Sequence, residues 1–234
     1  MTDGSRSVSG QPWHRMRPGV AVLLLLTAVA GSLDAVAFVD LGGVFVCNQT
    51  GNILLLGISI AEGRASDSVP GTISLTAFVL AAGLAGRLLP PVRRGARWPT
   101  RTATAIAVEV VAIAASAALW LAGASNAVVV APIAAAMGVQ TTLAGRVALE
   151  HLTSGFLTGT LSSAAMRSPL GDHSNPWWWY ALAPLLVLIV AAGAVSMVAV
   201  ESVSWALGIA AALALGAWMV SWFATDAGRR SART

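Results

Sequence analysis

Residues 42–57 read GGVFVCNQTGNILLLG, a long apolar run interrupted by Asn48, Gln49, Thr50, Gly51 and Asn52. In a chain of ordinary polarity these five residues would form a turn between two strands. The rest of this chain argues against that. Of its 234 residues, 56% are hydrophobic and 10% charged, against roughly 25% charged in soluble domains. Several windows reach the ~20 apolar residues that cross a hydrocarbon core as helix. The expected fold class is therefore an all-α membrane protein. Within it, the interruption marks a broken or re-entrant segment whose unwound backbone faces a ligand or a water-filled cavity.

Eight apolar segments can be drawn, at 19–39, 42–62, 69–91, 102–122, 127–148, 152–166, 177–198 and 203–224. The N-terminal stretch before Val20 is polar and basic like the start of a signal peptide. With no small-residue cleavage site after Leu33, the first segment reads as a retained helix. Arginines decide how many segments cross. All 14 basic residues are arginine, and they gather at segment ends, which makes them topology signals facing anionic lipid rather than a nucleic-acid surface. One cluster (Arg6, Arg15, Arg17) precedes the first segment. A second (Arg87, Arg93, Arg94, Arg97, Arg101) surrounds the third connection, and a third (Arg229, Arg230, Arg233) follows the last segment. Placing all three in the cytoplasm requires an even number of crossings between each pair, yet three segments and then five intervene. One segment in each group should therefore not cross, and 42–62 and 152–166 are the shortest and most polar. About six transmembrane helices remain, with two short re-entrant ones and both termini cytoplasmic. Eight full crossings, with the arginines of 92–101 outside, are the competing arrangement.

The two re-entrant segments echo each other. Thr50-Gly51 and Thr158-Gly159 lie 108 positions apart, and the same shift carries 19–39 onto 127–147 and 69–91 onto 177–199. The expected organisation is a cytoplasmic tail at 1–18, a first membrane repeat at 19–122, a second at 123–224 and a tail at 225–234. With three crossings per repeat, the halves are inverted relative to one another. Tryptophans at segment ends (Trp98, Trp120, Trp177, Trp205) fit the interfacial belt.

A helix starting after Gly51 leaves its first N–H groups without partners and carries partial positive charge, which attracts an anion or a carbonyl oxygen. Asn48, Thr50, Gly51 and Asn52 in the first break, and Thr158, Gly159 and Thr160 in the second, are thus candidate solute-binding residues. Gln140, a polar residue in the fifth segment, joins them. The plain alternative is that these groups cap helices and pack them together. Asp34, deep in the first span, and Glu109, about two turns into the fourth, are candidates for ion coupling, because intramembrane carboxylates are costly and tend to mark function. Arg146 is a candidate structural partner for Asp34. Cys47 is the single cysteine, and His14, His151 and His173 are dispersed, so no metal-ligand spacing exists. No nucleophile–base set or nucleotide fingerprint is present, so neither an enzyme nor a cofactor is expected.

The stretches DAVAFVDLGGVFVCNQTGNILLLG, AMGVQTTLAGR and LTSGFLTGTLSSAA resemble the YoaK-type family of bacterial inner-membrane proteins, a domain of unknown function. The matching positions are Asp34-Ala35 with Phe38, Phe45-Val46 with Asn48, Thr50-Gly51-Asn52, Met137-Gly138 with Gln140, and Thr158-Gly159-Thr160. Leu143-Ala144-Gly145 departs from the more polar or small residues common there. The resemblance implies a multi-pass inner-membrane protein and brings no activity. Two functions compete: a small-solute secondary transporter or channel-like permease with a midplane site at the paired TG motifs, or a non-transporting structural or partner-binding membrane subunit. The expected partners are the lipid bilayer, an unidentified small solute and, as an open possibility, further copies of the chain.

Overall fold

The computed structural model describes residues 13–89, 99–147, 157–173 and 178–230. These form eight helices: α1 (Trp13–Asp40), α2 (Gln49–Ala61), α3 (Val69–Leu88), α4 (Thr100–Leu121), α5 (Asn126–Val147), α6 (Leu157–Arg167), α7 (Ala183–Glu201) and α8 (Val203–Arg230). Among the described residues there is no strand. Six helices are long and apolar enough to cross a membrane: Gly19–Asp40, Ser66–Leu88, Thr100–Leu121, Asn126–Arg146, Trp178–Glu201 and Val203–Thr225. The protein is a multi-pass membrane protein, and the two short helices are the segments set apart by the arginine count. Helix α1 begins at Trp13 and α8 runs to Arg230, so helix extends into both expected tails. Arg93, Arg94, Arg97, Trp98, His151 and Trp177 lie outside the described residues.

The end of α1 fixes the path of the break. Gly42 and Gly43 take positive φ values of 102° and 70°, a region that glycine enters without the Cβ clash other residues suffer. The chain reverses there. A Cβ on Gly42 would stand 3.6 Å from Pro70 Cγ, at the start of α3, and 3.7 Å from Asn126 Nδ2, at the start of α5. The end of α1 and the starts of α3 and α5 therefore share one end of the molecule, so α2, between α1 and α3, departs from and returns to that end.

Helices α3 and α5 run parallel in a fixed register. Gly138 packs on the Phe78 carbonyl so closely that any Cβ would collide. One turn on, Thr142 Oγ1 donates to Ala82 O at 3.3 Å, and a further turn on, Arg146 Nη2 donates to Gly86 O at 2.7 Å. Helix α1 meets α7 in the same way, with a Cβ on Gly31 falling 2.8 Å from Leu188 O. In a bilayer the hydrophobic effect does not drive helices together, and small residues that let backbones approach supply the packing instead. The main pairings are α3 with α5, α1 with α7, α4 with α5, α1 with α8, and α4 with α8. Exchanging α1 with α5, α3 with α7 and α4 with α8 turns this set into itself.

Two apolar clusters fill the interior. The larger, near the α1–α3 end, includes Leu33, Val36, Val46, Ile133, Met137 and Ala206. The smaller, toward the opposite end, comprises Val22, Leu26, Ala105, Ile106, Leu143 and Ala217. Apolar side chains such as Leu80, Leu84, Ile189 and Val190 are exposed on the periphery, as suits helices solvated by hydrocarbon.

Candidate functional site

The site is assembled around Asp34, six residues before the end of α1. Its Oδ1 accepts the backbone N–H groups of Val46 and Cys47, each at 2.7 Å, and its Oδ2 accepts that of Asn48 at 3.2 Å. Three successive N–H groups of unwound backbone form a small anion-binding concavity. Here the anion is the chain's own carboxylate. The next amides are also engaged, since Gln49 N–H donates to Cys47 O and Gly51 N–H to Asn48 O, both at 3.1 Å. The expectation of open N–H groups for a solute at the start of α2 is narrowed, since the amides of Gln49 and Gly51 serve the turn and those just before the helix serve Asp34. Asn48 stands at the N-cap but makes no side-chain capping bond. Helix begins at Gln49, earlier than Gly51.

Asn52 is likewise committed to the fold. It is only 2% exposed. Its Oδ1 accepts Phe45 N–H at 2.9 Å, while its Nδ2 donates to Phe45 O at 2.6 Å and to Gln49 Oε1 at 2.8 Å. Ser74 Oγ, on α3, donates to the same Phe45 carbonyl at 2.7 Å. The Phe45 ring lies over Gly51, where a Cβ would collide with it, and stacks on Phe38 at 5.0 Å between centroids. Two-point pairing of a side-chain amide with one backbone residue satisfies buried polar groups that lipid cannot.

What the break leaves free faces a cavity of about 1050 Å³. From the first half its wall includes Asp34, Asn48, Thr50 and Gly51; from the second, Thr141, Thr158, Gly159 and Ser196. Phe38, Phe45 and Phe78 add ring surface. Both TG motifs thus line one cavity. Thr50 and Thr158 are exposed, whereas Thr160 is buried and does not line the cavity.

Other candidates lie elsewhere. Gln140 is fully buried and donates through Nε2 to Leu26 O at 3.0 Å; its neighbour Thr141 takes the cavity position instead. Glu109 is 1% exposed and lies outside the cavity lining, with no hydrogen-bond partner for Oε1 among the described residues. It sits between Ile106 of the smaller cluster and Ile113 of the larger, at the level where the apolar core divides. Arg146 does not meet Asp34, because its guanidinium reaches the Gly86 carbonyl at the opposite end of the fold. Among the described residues, no three His, Cys, Asp or Glu groups converge as metal ligands. Sequence reasoning missed Ser196 and Thr141. Ser196 had a signal, being the one hydroxyl residue in α7.

The model of the family described as "Protein of unknown function (DUF1275)" matches residues 22–220. The chain belongs to this family. Over 148 residues it is 31% identical to the UPF0700 transmembrane protein YoaK of Bacillus subtilis (strain 168), a match covering 61% of this chain and 64%, a little under two thirds, of that relative. The YoaK-type resemblance of the motifs is thereby shown. No solved structure matches. In this DUF1275 protein the family motifs serve two tasks: Asn52 shapes the break, Thr50, Thr158 and Gly159 line the cavity, and Asp34 and Gly51 do both.

Proposed function

We propose that this DUF1275 protein is a small-solute secondary transporter or channel-like permease, with its binding site in the cavity beneath the paired TG motifs. One observation carries the reading: Thr50-Gly51 and Thr158-Gly159, from opposite halves of the chain, line one cavity beside the carboxylate of Asp34. Sites at the meeting of two broken helices are the usual plan of inverted-repeat transporters. The helix pairings that survive exchange of the two halves support such a repeat. Asp34 in the wall and Glu109 in the core are the carboxylates available for ion coupling.

Orientation follows from charge. Arg87, Arg101 and Arg146 lie at the end of the fold where α1 begins, while Asp40, Glu62, Asp67 and Glu201 lie at the other with Arg64. The arginine-rich end is read as cytoplasmic, in a bacterial inner membrane, with both termini inside.

The rival reading, a non-transporting subunit, draws on Asn52 and Gly51, which serve internal packing. It leaves the free hydroxyls of Thr50 and Thr158 without a task. Proteoliposome swelling against a panel of small solutes separates the two. The transport reading expects permeation of at least one solute, reduced tenfold or more when Thr50→Leu and Thr158→Leu together fill the cavity. Permeation indifferent to both substitutions sinks the site assignment.

A further inference from the structure

We infer that the cavity accepts a small organic cation bearing an ammonium group, with Asp34 as its counter-charge. This rests on the cavity being a solute site, as proposed above, and names the class of solute. The charge of the lining is the first argument. Among the described residues it contains one carboxylate and no arginine or histidine, so an anionic solute would meet a like charge and no cation.

The nest in the first break is already filled. The N–H groups of Val46, Cys47 and Asn48 are held by Asp34, so these three amides are not open to a phosphate or carboxylate. Those three bonds take three of the roughly four acceptor positions of an ionised carboxylate. They fix the group rigidly, leaving one acceptor position and the charge for a donor in the cavity. An ammonium group brings donors only, which the hydroxyl oxygens of Thr50, Thr141, Thr158 and Ser196 in the wall can accept. The Phe38 and Phe78 rings add aromatic surface to the lining, and aromatic faces attract cations when desolvated.

Size decides between an organic and an inorganic cation. A cavity of about 1050 Å³ lies at the upper end of the roughly 300–1,000 Å³ typical of organic ligands. Among the described residues, no three His, Cys, Asp or Glu groups converge to hold a bare metal ion.

The test uses the full chain in detergent micelles, with thermal unfolding followed in butylammonium chloride, butanol and sodium butyrate, which share one carbon skeleton. Butylammonium is expected to raise the midpoint in a saturable manner, by at least twice the effect of butanol, and butyrate to leave it unchanged. Thr158→Lys, on the exposed wall of α6, adds a cation to the cavity without touching the Asp34 bonds. It should keep the unliganded midpoint and abolish the butylammonium shift. A butyrate shift as large as that of butylammonium, or a butylammonium shift that survives Thr158→Lys, overturns the cation assignment and leaves the solute site standing. Failure of all three compounds to shift the midpoint overturns both.

Discussion

Asp34 and Cys47 are joined at 2.7 Å, carboxylate oxygen to backbone amide, across the reversal at the end of α1. The same oxygen holds the amide of Val46. These contacts pull the chain back into the fold after Gly43 and set the depth at which α2 begins. A carboxylate accepting backbone N–H groups makes stronger bonds than a neutral acceptor does. Asp34 is therefore a structural element of the break as well as the charge in the cavity wall.

Asp34→Ala should be among the most damaging single changes in the chain. It strands three N–H groups, and each buried one left unpaired costs about 1–3 kcal/mol. Asp34→Asn keeps one acceptor oxygen and should lose less. The order wild type, Asn, Ala in thermal midpoint, with amide exchange accelerating at Val46 and Cys47, checks the assignment. Equal midpoints for Ala and wild type would show that the loop is held by other contacts.

Asn52 and Ser74 act on one carbonyl, that of Phe45, so their effects should not add. Asn52→Ala is expected to cost about 1–3 kcal/mol, since it leaves the Phe45 N–H unpaired and its carbonyl with Ser74 alone. Ser74→Ala should cost less. In a double-mutant cycle the pair should show a coupling of roughly 0.5 kcal/mol or more, as residues in one network do. Additive losses would mean that the two side chains stabilise separate features.

The architecture was legible because its signals are chemical and local. Apolar length marks eight segments, and the parity of the arginine clusters singles out 42–62 and 152–166, leaving six spans. The 108-residue echo pairs Thr50 with Thr158, and both line one cavity. The roles of individual residues were harder to read, because hydrogen-bond partners are set by the path of the chain in space. Asn52 looks identical in sequence whether it faces a solute or clamps Phe45. The sequence offers Arg146 as a candidate structural partner for Asp34. The structure supplies three amides instead, which no spacing rule reveals, since they come from the break 12–14 residues downstream. Ser196 lacked a counterpart in the break motifs and so went unnoticed.

Gly138 and Gly145 offer a controlled comparison on one helix. A Cβ at Gly138 would collide with the Phe78 backbone on α3, whereas one at Gly145 meets nothing within 4 Å. Gly138→Ala must push two parallel helices apart, and overpacking of this kind costs typically about 1–3 kcal/mol. Gly145→Ala should be neutral or mildly stabilising, because alanine is favoured over glycine in helix by up to about 1 kcal/mol. Thermal midpoints of the two variants in the same detergent read this directly. Equal behaviour would refute the close α3–α5 contact.

Topology is testable because Cys47 is the only cysteine. In a Cys47→Ala background, Ala122→Cys places a thiol on the exposed connection after α4, and Leu170→Cys places one on the 93% exposed position after α6. Six crossings with cytoplasmic termini put Ala122 outside and Leu170 inside. A membrane-impermeant maleimide added to intact cells should then label the first variant and reach the second only after permeabilisation. Eight full crossings from a cytoplasmic N-terminus would put both positions inside, so that neither is labelled in intact cells. The reverse pattern, Leu170 labelled and Ala122 protected, would invert the whole protein and place the arginine-rich end outside. The return of α2 to the end from which it departs, fixed by Gly42 against Pro70, is the structural reason to expect the first result.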